Sequence, residues 1–255
     1  MKNRIQFVFV LFLSAVGAYH ASAQTIGSPA GVRGAGEWTI SVLGTYMDQQ
    51  IGTEAAISRR LLLKSNWGVL PWLDFYLIGG GCQLELQKNV SNVIGYKSKY
   101  KVGYGAGFHA SLFPRTLSGI GLSLGVQALR FPSEGSFQVM EDTYDQTFSM
   151  RYDWREFRAH LGVVIPVESI RFYLAGIGWA VQRMDVKNEY WGYGDASSYL
   201  GETRDEFRSG IWTGGLVGIE LLFPKHYAIS LEALFFNEKN FHLTLGVSQT
   251  GGTEW

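Results

Sequence analysis

The sequence predicts an all-β protein, a transmembrane antiparallel up-and-down β-barrel. Three observations support this fold class: apolar side chains alternate with small or polar ones, the alternating segments are long, and the connections between them are alternately short and long. The 255-residue chain has zero formal net charge, 17% charged residues and 32 glycines. This balance gives no electrostatic reason to expect a nucleic-acid partner.

The first segment of the chain has the plan of a secretory signal peptide. Two basic residues precede an apolar run over residues 5–18, which leads to the small residues Ala21 and Ala23 of a cleavage site. We predict a signal peptide over residues 1–23 and a short periplasmic segment over 24–34. The apolar run is shorter than the roughly 20 residues that a transmembrane anchor needs.

Alternation with a period of two is clearest over residues 100–112, where every even position is apolar and every odd position is glycine, lysine, histidine or serine. Successive side chains of a strand point to opposite faces, so such a strand has one oily face. Most predicted strands reach the roughly 9–11 residues that cross a bilayer, whereas soluble strands average roughly 5–6. We predict about ten strands, with eight or twelve as alternatives, over residues 36–48, 55–68, 73–87, 98–113, 119–131, 147–165, 171–186, 208–223, 227–237 and 240–248.

The connections differ between the two ends of the predicted barrel. Four tight connections each carry a proline directly after an apolar strand end, at Pro71, Pro114, Pro166 and Pro224. Proline lacks an N–H and keeps its predecessor extended, which suits a strand that leaves the sheet. The connections between them include the polar segments 132–146 and 187–207, which we interpret as long loops. Short turns at one end and long loops at the other are typical of membrane barrels.

Residues 35–248 resemble the bacterial outer-membrane β-barrel proteins as a broad class. The resemblance rests on the leader, on glycine-rich alternation such as Gly103–Phe108, and on the loop asymmetry. It implies a location in the cell outer membrane, contact with outer-membrane lipid and lipopolysaccharide, insertion by the barrel-assembly machinery, and a monomeric state. Residues 249–255 are either the end of the last strand or a short tail. Trp255 keeps the phase of that strand, but Gln249, Gly251 and Thr253 dilute its alternation.

The inward-facing side chains predict a polar lumen. Ten strands are close to the number at which side chains fill a barrel, and an unpaired buried charge is costly. We therefore predict a paired network that fills the lumen, with a narrow pathway or a small-ligand site as alternatives. Its predicted members are Arg60, Lys64, Glu85, Lys101, His109, Arg158, His160, Glu220, Glu232 and His242.

The predicted function is a structural, surface-binding or small-solute transport role, without enzymatic activity. The single cysteine and the absence of metal-ligand spacing or a phosphate loop indicate no catalytic, metal or cofactor-binding residues. The aromatic residues of segment 187–207 form a candidate loop binding surface, which consists of Tyr190, Trp191, Tyr193 and Tyr199.

Two alternatives belong to other functional classes. Lipid A deacylases of the outer membrane use a His-x-Ser pair with a carboxylate, and His109 and Ser111 resemble that pair. The asparagine expected after the serine is absent, and the pair is predicted to face the lumen near the short-turn end. The other alternative is a soluble, secreted ligand-binding barrel, similar to a lipocalin, with its oily face inside.

Overall fold

Antiparallel strands make up nearly all of the described chain. The computed structural model describes residues 35–51, 54–86, 96–111, 120–141, 144–193, 198–208, 212–237 and 240–251, and these contain no helix. The strands, in chain order, are β1 (Trp38–Ile51), β2 (Glu54–Leu70), β3 (Leu73–Leu86), β4 (Tyr96–Lys97), β5 (Lys101–Ser111), β6 (Gly121–Glu141), β7 (Tyr144–Val167), β8 (Ile170–Tyr193), β9 (Ser198–Arg208), β10 (Trp212–Phe223), β11 (Tyr227–Asn237) and β12 (Asn240–Gly251).

Ten of these strands close into a ring. The hydrogen-bonded order runs β10-β11-β12-β1-β2-β3-β5-β6-β7-β8, and β8 pairs with β10 to complete the circle. The first and last strands pair in a continuous register from Trp38 opposite Gly251 to Asp48 opposite Phe241. The two-residue β4 pairs with β3, and β9 pairs with residues 183–192 of β8. The predicted ten-strand antiparallel barrel is confirmed.

The outer wall of the barrel is apolar. Large apolar side chains alternate outward along neighbouring strands, as Leu61, Leu63, Leu77, Val102 and Leu161 do, and Val102 is 72% exposed. A soluble barrel with its oily face inside has the reverse arrangement. An apolar exterior is what a closed sheet needs in a hydrocarbon surrounding, where no water can solvate its surface.

Three strands exceed their predicted lengths by the largest margins. β6, β7 and β8 have 21, 24 and 24 residues, and they remain paired with one another beyond the apolar belt. The prediction of long loops over 132–146 and 187–207 is wrong, because most of these residues form hairpins of strand. Apolar residues do not alternate regularly with polar ones there, although the hydrogen-bonded pairing of the strands continues.

The described chain ends within the barrel wall. β12 continues past residue 248 to Gly251, so residues 249–251 belong to the last strand. Residues 252–255 lie outside the described residues, as do the predicted signal peptide (1–23) and most of the predicted periplasmic segment (24–34).

Glycines on the lumen face accommodate aromatic rings from neighbouring strands. A Cβ atom on Gly107 would overlap the ring of Tyr76, one on Gly125 the ring of His160, and one on Gly218 the ring of Tyr173. All three rings are buried. Paired small and large residues thus fill the lumen, as in close-packed protein interiors.

Substituting one of these glycines tests the packing. Gly125→Ala should lower the free energy of unfolding by about 1–3 kcal/mol, because the added methyl group displaces the His160 ring from a filled lumen. Gly215→Ala is the matched control, since no atom of the described residues lies within 4 Å of its added Cβ. Urea titration followed by tryptophan fluorescence measures both variants. Equal stability of the two variants would contradict this account.

Candidate functional site

The lumen contains most of the polar residues that the sequence assigns to it. Eight of the ten predicted network residues are at most 6% exposed, namely Arg60, Lys64, His109, Arg158, His160, Glu220, Glu232 and His242. Period-two alternation on β2, β5, β7, β10, β11 and β12 aims them inward. They divide into two clusters at different heights of the barrel.

The cluster nearer the long-strand end is organised by the carboxylate of Glu156. Its Oε1 lies 2.6 Å from Arg158 Nε, and its Oε2 lies 3.5 Å from Arg60 Nη1. The indole N–H of Trp154 donates a hydrogen bond of 3.2 Å to Oε2. One carboxylate therefore serves two buried guanidinium groups, and these three charges sum to +1.

The contacts of this Glu156 cluster run from wall to wall. Arg60 belongs to β2, Glu156 and Arg158 to β7, and the Nη2 of Arg158 lies 3.1 Å from Nδ1 of His242 on β12. β2 and β12 each stand four strands away from β7 around the ten-strand ring. Because side chains from such distant strands touch, they close the lumen at this height.

Apolar and aromatic side chains surround the Glu156 cluster. The Arg60 guanidinium lies over Phe131, 4.3 Å from the ring centroid, and Phe131 stacks on Trp154 at 5.4 Å. Planar guanidinium groups stack well on aromatic faces. Further buried lumen residues complete an apolar core, including Leu43, Met47, Leu62, Ile78, Leu84, Leu129 and Tyr152.

This apolar core is absent from the sequence-based prediction, which expects a polar lumen. The run Arg60–Lys64 contains three consecutive leucines, so both faces of β2 are apolar at that point. Apolar residues on both faces of β1, β2 and β3 are the sequence feature that could have predicted this core.

A second cluster lies nearer the short turns. The Lys64 ammonium group sits 3.9 Å from the ring centroid of Tyr76, whose hydroxyl donates a 3.2 Å hydrogen bond to Gln127 Oε1. His109 and His160 stack with their ring centroids 5.8 Å apart. This cluster combines a cation, a phenol and two imidazoles in the closed interior of the barrel.

Two buried carboxylates belong to the same region. Glu220 accepts a 3.1 Å hydrogen bond from Arg171 Nη1, and the two residues are directly opposite each other on β10 and β8. Glu232 on β11 is 2% exposed and lies in the same region of the lumen. This part of the lumen thus contains the acids Glu220 and Glu232 and the bases Lys64 and Arg171, and Glu220 is paired with Arg171.

Two predicted network residues lie elsewhere. Glu85 follows the fully buried Leu84 and points to the opposite face, where Arg59 Nη1 lies 3.0 Å and Lys97 Nζ lies 4.0 Å from its Oε2. The assignment of Glu85 to the lumen is wrong, because the three glycines before Cys82 fit either face and hide the phase of β3. Lys101 is partly exposed at the long-strand end of the barrel, which we call the mouth.

The mouth residue Lys101 is paired outside the buried network. Its Nζ donates a 2.9 Å hydrogen bond to Oε2 of Glu134, and this contact lowers the pKa of the Glu134 carboxyl below its ordinary value. Arg151 approaches the other carboxylate oxygen at 3.5 Å. All three side chains are more than one-third exposed, so their pairing adds little stability.

The predicted loop binding surface is part of a strand hairpin. Tyr190, Trp191 and Tyr193 belong to β8 and Tyr199 to β9, with Trp191 directly opposite Tyr199. Their classification as loop residues is therefore wrong. The register shifts between Tyr190 and Trp191, which marks an irregularity in this hairpin.

The structure separates the surroundings of His109 from those of Ser111. His109 is buried against His160, while the backbone N–H of Ser111 donates to the carbonyl of Trp72 at the short-turn end. Among the described residues, no group of three or more histidine, cysteine, aspartate or glutamate side chains could hold a metal ion.

Removing the central carboxylate tests the Glu156 cluster. Glu156→Ala should cost about 3–5 kcal/mol of unfolding free energy, because two buried guanidinium groups lose their counter-charge. Glu134→Ala, which removes a carboxylate from the exposed mouth, should cost at most about 1 kcal/mol. Urea titration of the folded barrels gives both values, and similar losses in the two variants would argue against a buried network.

The chain shares its fold with outer-membrane barrels. The translocator domain of the autotransporter NalP from Neisseria meningitidis matches with a TM-score of 0.52 at 11% identity, over 87% of this chain and 90% of that chain. The outer-membrane protease OmpT from Escherichia coli matches with a TM-score of 0.40 at 12% identity, over 88% and 100%. No protein-family model and no curated protein matches the sequence. The chain therefore has the outer-membrane β-barrel fold, and no narrower family is assigned.

Proposed function

We propose that this protein resides in the bacterial outer membrane as a closed barrel and acts at the cell surface rather than by passing solutes. The proposed location rests on the barrel fold, its apolar outer wall and the secretory leader predicted from the sequence. The observation that carries the closed-barrel proposal is the contact of β2, β7 and β12 across the lumen through Arg60, Glu156, Arg158 and His242.

The packing around that contact supports a sealed interior. Trp154, Arg158, Phe131 and Met47 are all fully buried, at 0% exposure. A solute path at this height would have to separate ion pairs and stacked rings at once. Moving a charge out of such a network leaves another charge unpaired, which costs several kcal/mol. The geometry therefore favours a plug over a pore.

The long hairpins support a role at the surface. β6 and β7 stay paired from the belt up to Glu141 opposite Tyr144, and β8 and β9 continue the same sheet. From Arg130 to Glu141 the strand extends by roughly 36 Å at about 3.3 Å per residue. We propose that this projecting sheet, which includes the predicted binding residues Trp191 and Tyr199, binds a partner surface or a sugar.

A non-catalytic role fits the surroundings of His109. A histidine that activates a serine must reach that hydroxyl, and a substrate must reach both. The His109 ring is instead stacked on His160 inside the barrel, 6% exposed. We therefore propose that the protein does not hydrolyse lipid.

Electrical recording tests the closed barrel. The wild-type protein in planar bilayers should show no unit conductance, whereas Arg60→Ser/Glu156→Ser/Arg158→Ser should conduct, because all three cross-lumen charges are removed together. Recovery in the outer-membrane fraction, with a gel mobility that changes on boiling, verifies location and folding. Steady wild-type channels would refute the closed lumen.

Lipid analysis tests the proposed lack of hydrolase activity. Cells that overproduce the wild-type protein and cells that overproduce His109→Ala/Ser111→Ala should have the same lipid A acylation pattern by mass spectrometry. The reason is that His109 is buried against His160 rather than presented to a substrate. Loss of an acyl chain in the wild type alone would establish a deacylase.

A further inference from the structure

An elongated groove lies on the outer wall of the barrel, across β3, β5, β6 and β7. This open groove has a volume of about 590 Å³, within the roughly 300–1,000 Å³ of small-molecule sites. Its lining includes Leu77, Ala106, Ala128 and Phe157, and its upper border includes Arg130 and Arg155. The groove is thus apolar along its length and cationic at the border nearer the long-strand end.

The strand register explains the shape of the groove. Leu77 is opposite Ala106, Ala106 is opposite Ala128, and Ala128 is opposite Phe157, so the four form one row across four strands. The two small alanines lie between two large side chains. This order makes a trough about two strands wide, roughly 10 Å at the spacing of neighbouring strands.

The next row toward the long-strand end is basic. Tyr104 is opposite Arg130, and Arg130 is opposite Arg155. Asp153 accepts two hydrogen bonds from each guanidinium group, from Nε and Nη2 of both arginines, and its oxygens lie 2.7 Å from Arg130 Nε and 3.0 Å from Arg155 Nε. Like charges directly opposite each other repel, and one carboxylate leaves this trio with a charge of +1.

The basic row stands at the edge of the apolar belt. Arg130 is nine residues from Gly121, the turn end of β6; for a strand tilted by about 40° this is roughly 23 Å along the barrel axis. The apolar band of such barrels is about 25 Å tall. Outward positions of β6 below Arg130 are apolar, as are those of β7 below Arg155.

The register extends the basic row beyond the groove. Arg183 of β8 is opposite Arg155, and Arg208 of β9 is opposite Arg183, so four arginines occupy one cross-strand row. On β7, Asp153 is the next outward residue after Arg155 and lies further from the apolar belt than Arg155 does. On β6 and β7, Arg130 and Arg155 are therefore the first charged groups above the apolar outward positions.

We propose that this groove binds lipopolysaccharide, with an acyl chain in the alanine trough and a lipid A phosphate on Arg130 and Arg155. Guanidinium groups bind phosphate through paired, charge-assisted hydrogen bonds. The long-strand end is the cell-surface side of such barrels, where lipid A carries its phosphates at the level of this row. Charge complementarity and the apolar trough below it select a phosphorylated lipid over a neutral one.

Binding of purified lipids to the full-length protein in detergent micelles tests the site. Lipopolysaccharide should bind the wild type, and Arg130→Gln/Arg155→Gln should weaken binding by about tenfold or more through loss of the phosphate contacts. Ala128→Phe should weaken it as well, because the new ring fills the trough. Lipopolysaccharide with its phosphates removed should bind the wild type as weakly as it binds the double variant.

Matched controls separate recognition from folding. Arg151→Gln removes an exposed arginine two positions from Asp153, and Ala159→Phe adds a ring to β7 outside the groove; both should bind like the wild type. Asp153→Asn raises the charge of the trio to +2 and should tighten binding. Boiled and unboiled gel mobility verifies that every variant is folded.

Two results would overturn the proposal. One is equal binding of intact and dephosphorylated lipopolysaccharide, and the other is equal binding of phosphatidylglycerol, which would make the groove a general phospholipid surface. The closed-lumen proposal is independent of this site, since the Arg130–Arg155 row lies on the outer wall and conductance is set by the Glu156 cluster within.

Discussion

Closure of the sheet is the constraint on which the rest of the structure depends. A backbone that crosses hydrocarbon has no water to satisfy its N–H and C=O groups, so every strand needs a partner on both sides. The pairings of β12 with β1 and of β8 with β10 remove the two free edges. Once the ring is closed, each strand has one face toward lipid and one toward a confined lumen, and all later choices of side chain follow from that division.

Filling the lumen requires both shape and charge to match. The ring of His160 occupies the space that Gly125 leaves, and the ring of Tyr173 occupies the space at Gly218. Glu156 neutralises one of its two guanidinium neighbours, while Phe131 and Trp154 pack against Arg60. Stacking and ion pairing act on the same side chains, so the interior is a packed core that includes charges.

The same strands serve two environments along their length. On β6 and β7, the outward side chains are apolar up to Ala128 and Phe157 and charged from Arg130 and Arg155 onward. The apolar side chains suit contact with hydrocarbon, whereas the charged side chains need water or lipid headgroups around them. This change of polarity at one register position marks the upper edge of the belt, and it also creates the groove whose apolar trough ends at two cations.

Local alternation made much of the wall and lumen predictable. Residues 100–112 are sufficient to assign two faces to β5, and the same reasoning places Arg158, His160 and Glu232 on the inner face. It fails for Glu85, where consecutive glycines erase the phase, and for residues 132–141, where apolar residues no longer alternate regularly with polar ones. Hydrophobic alternation reports the contrast between two surroundings, so it is silent where the surroundings are alike.

The sequence by itself determined the all-β class, about ten long strands, an oily outer face and a charged inner one, because these depend only on neighbours two residues apart. Tertiary structure alone decided that Arg60 meets Glu156 and that Arg158 meets His242, which are 96 and 84 residues apart. It also decided that Ala106, Ala128, Arg130 and Arg155 lie together. These contacts depend on strand register and on closure of the ring, which no single segment of the sequence encodes.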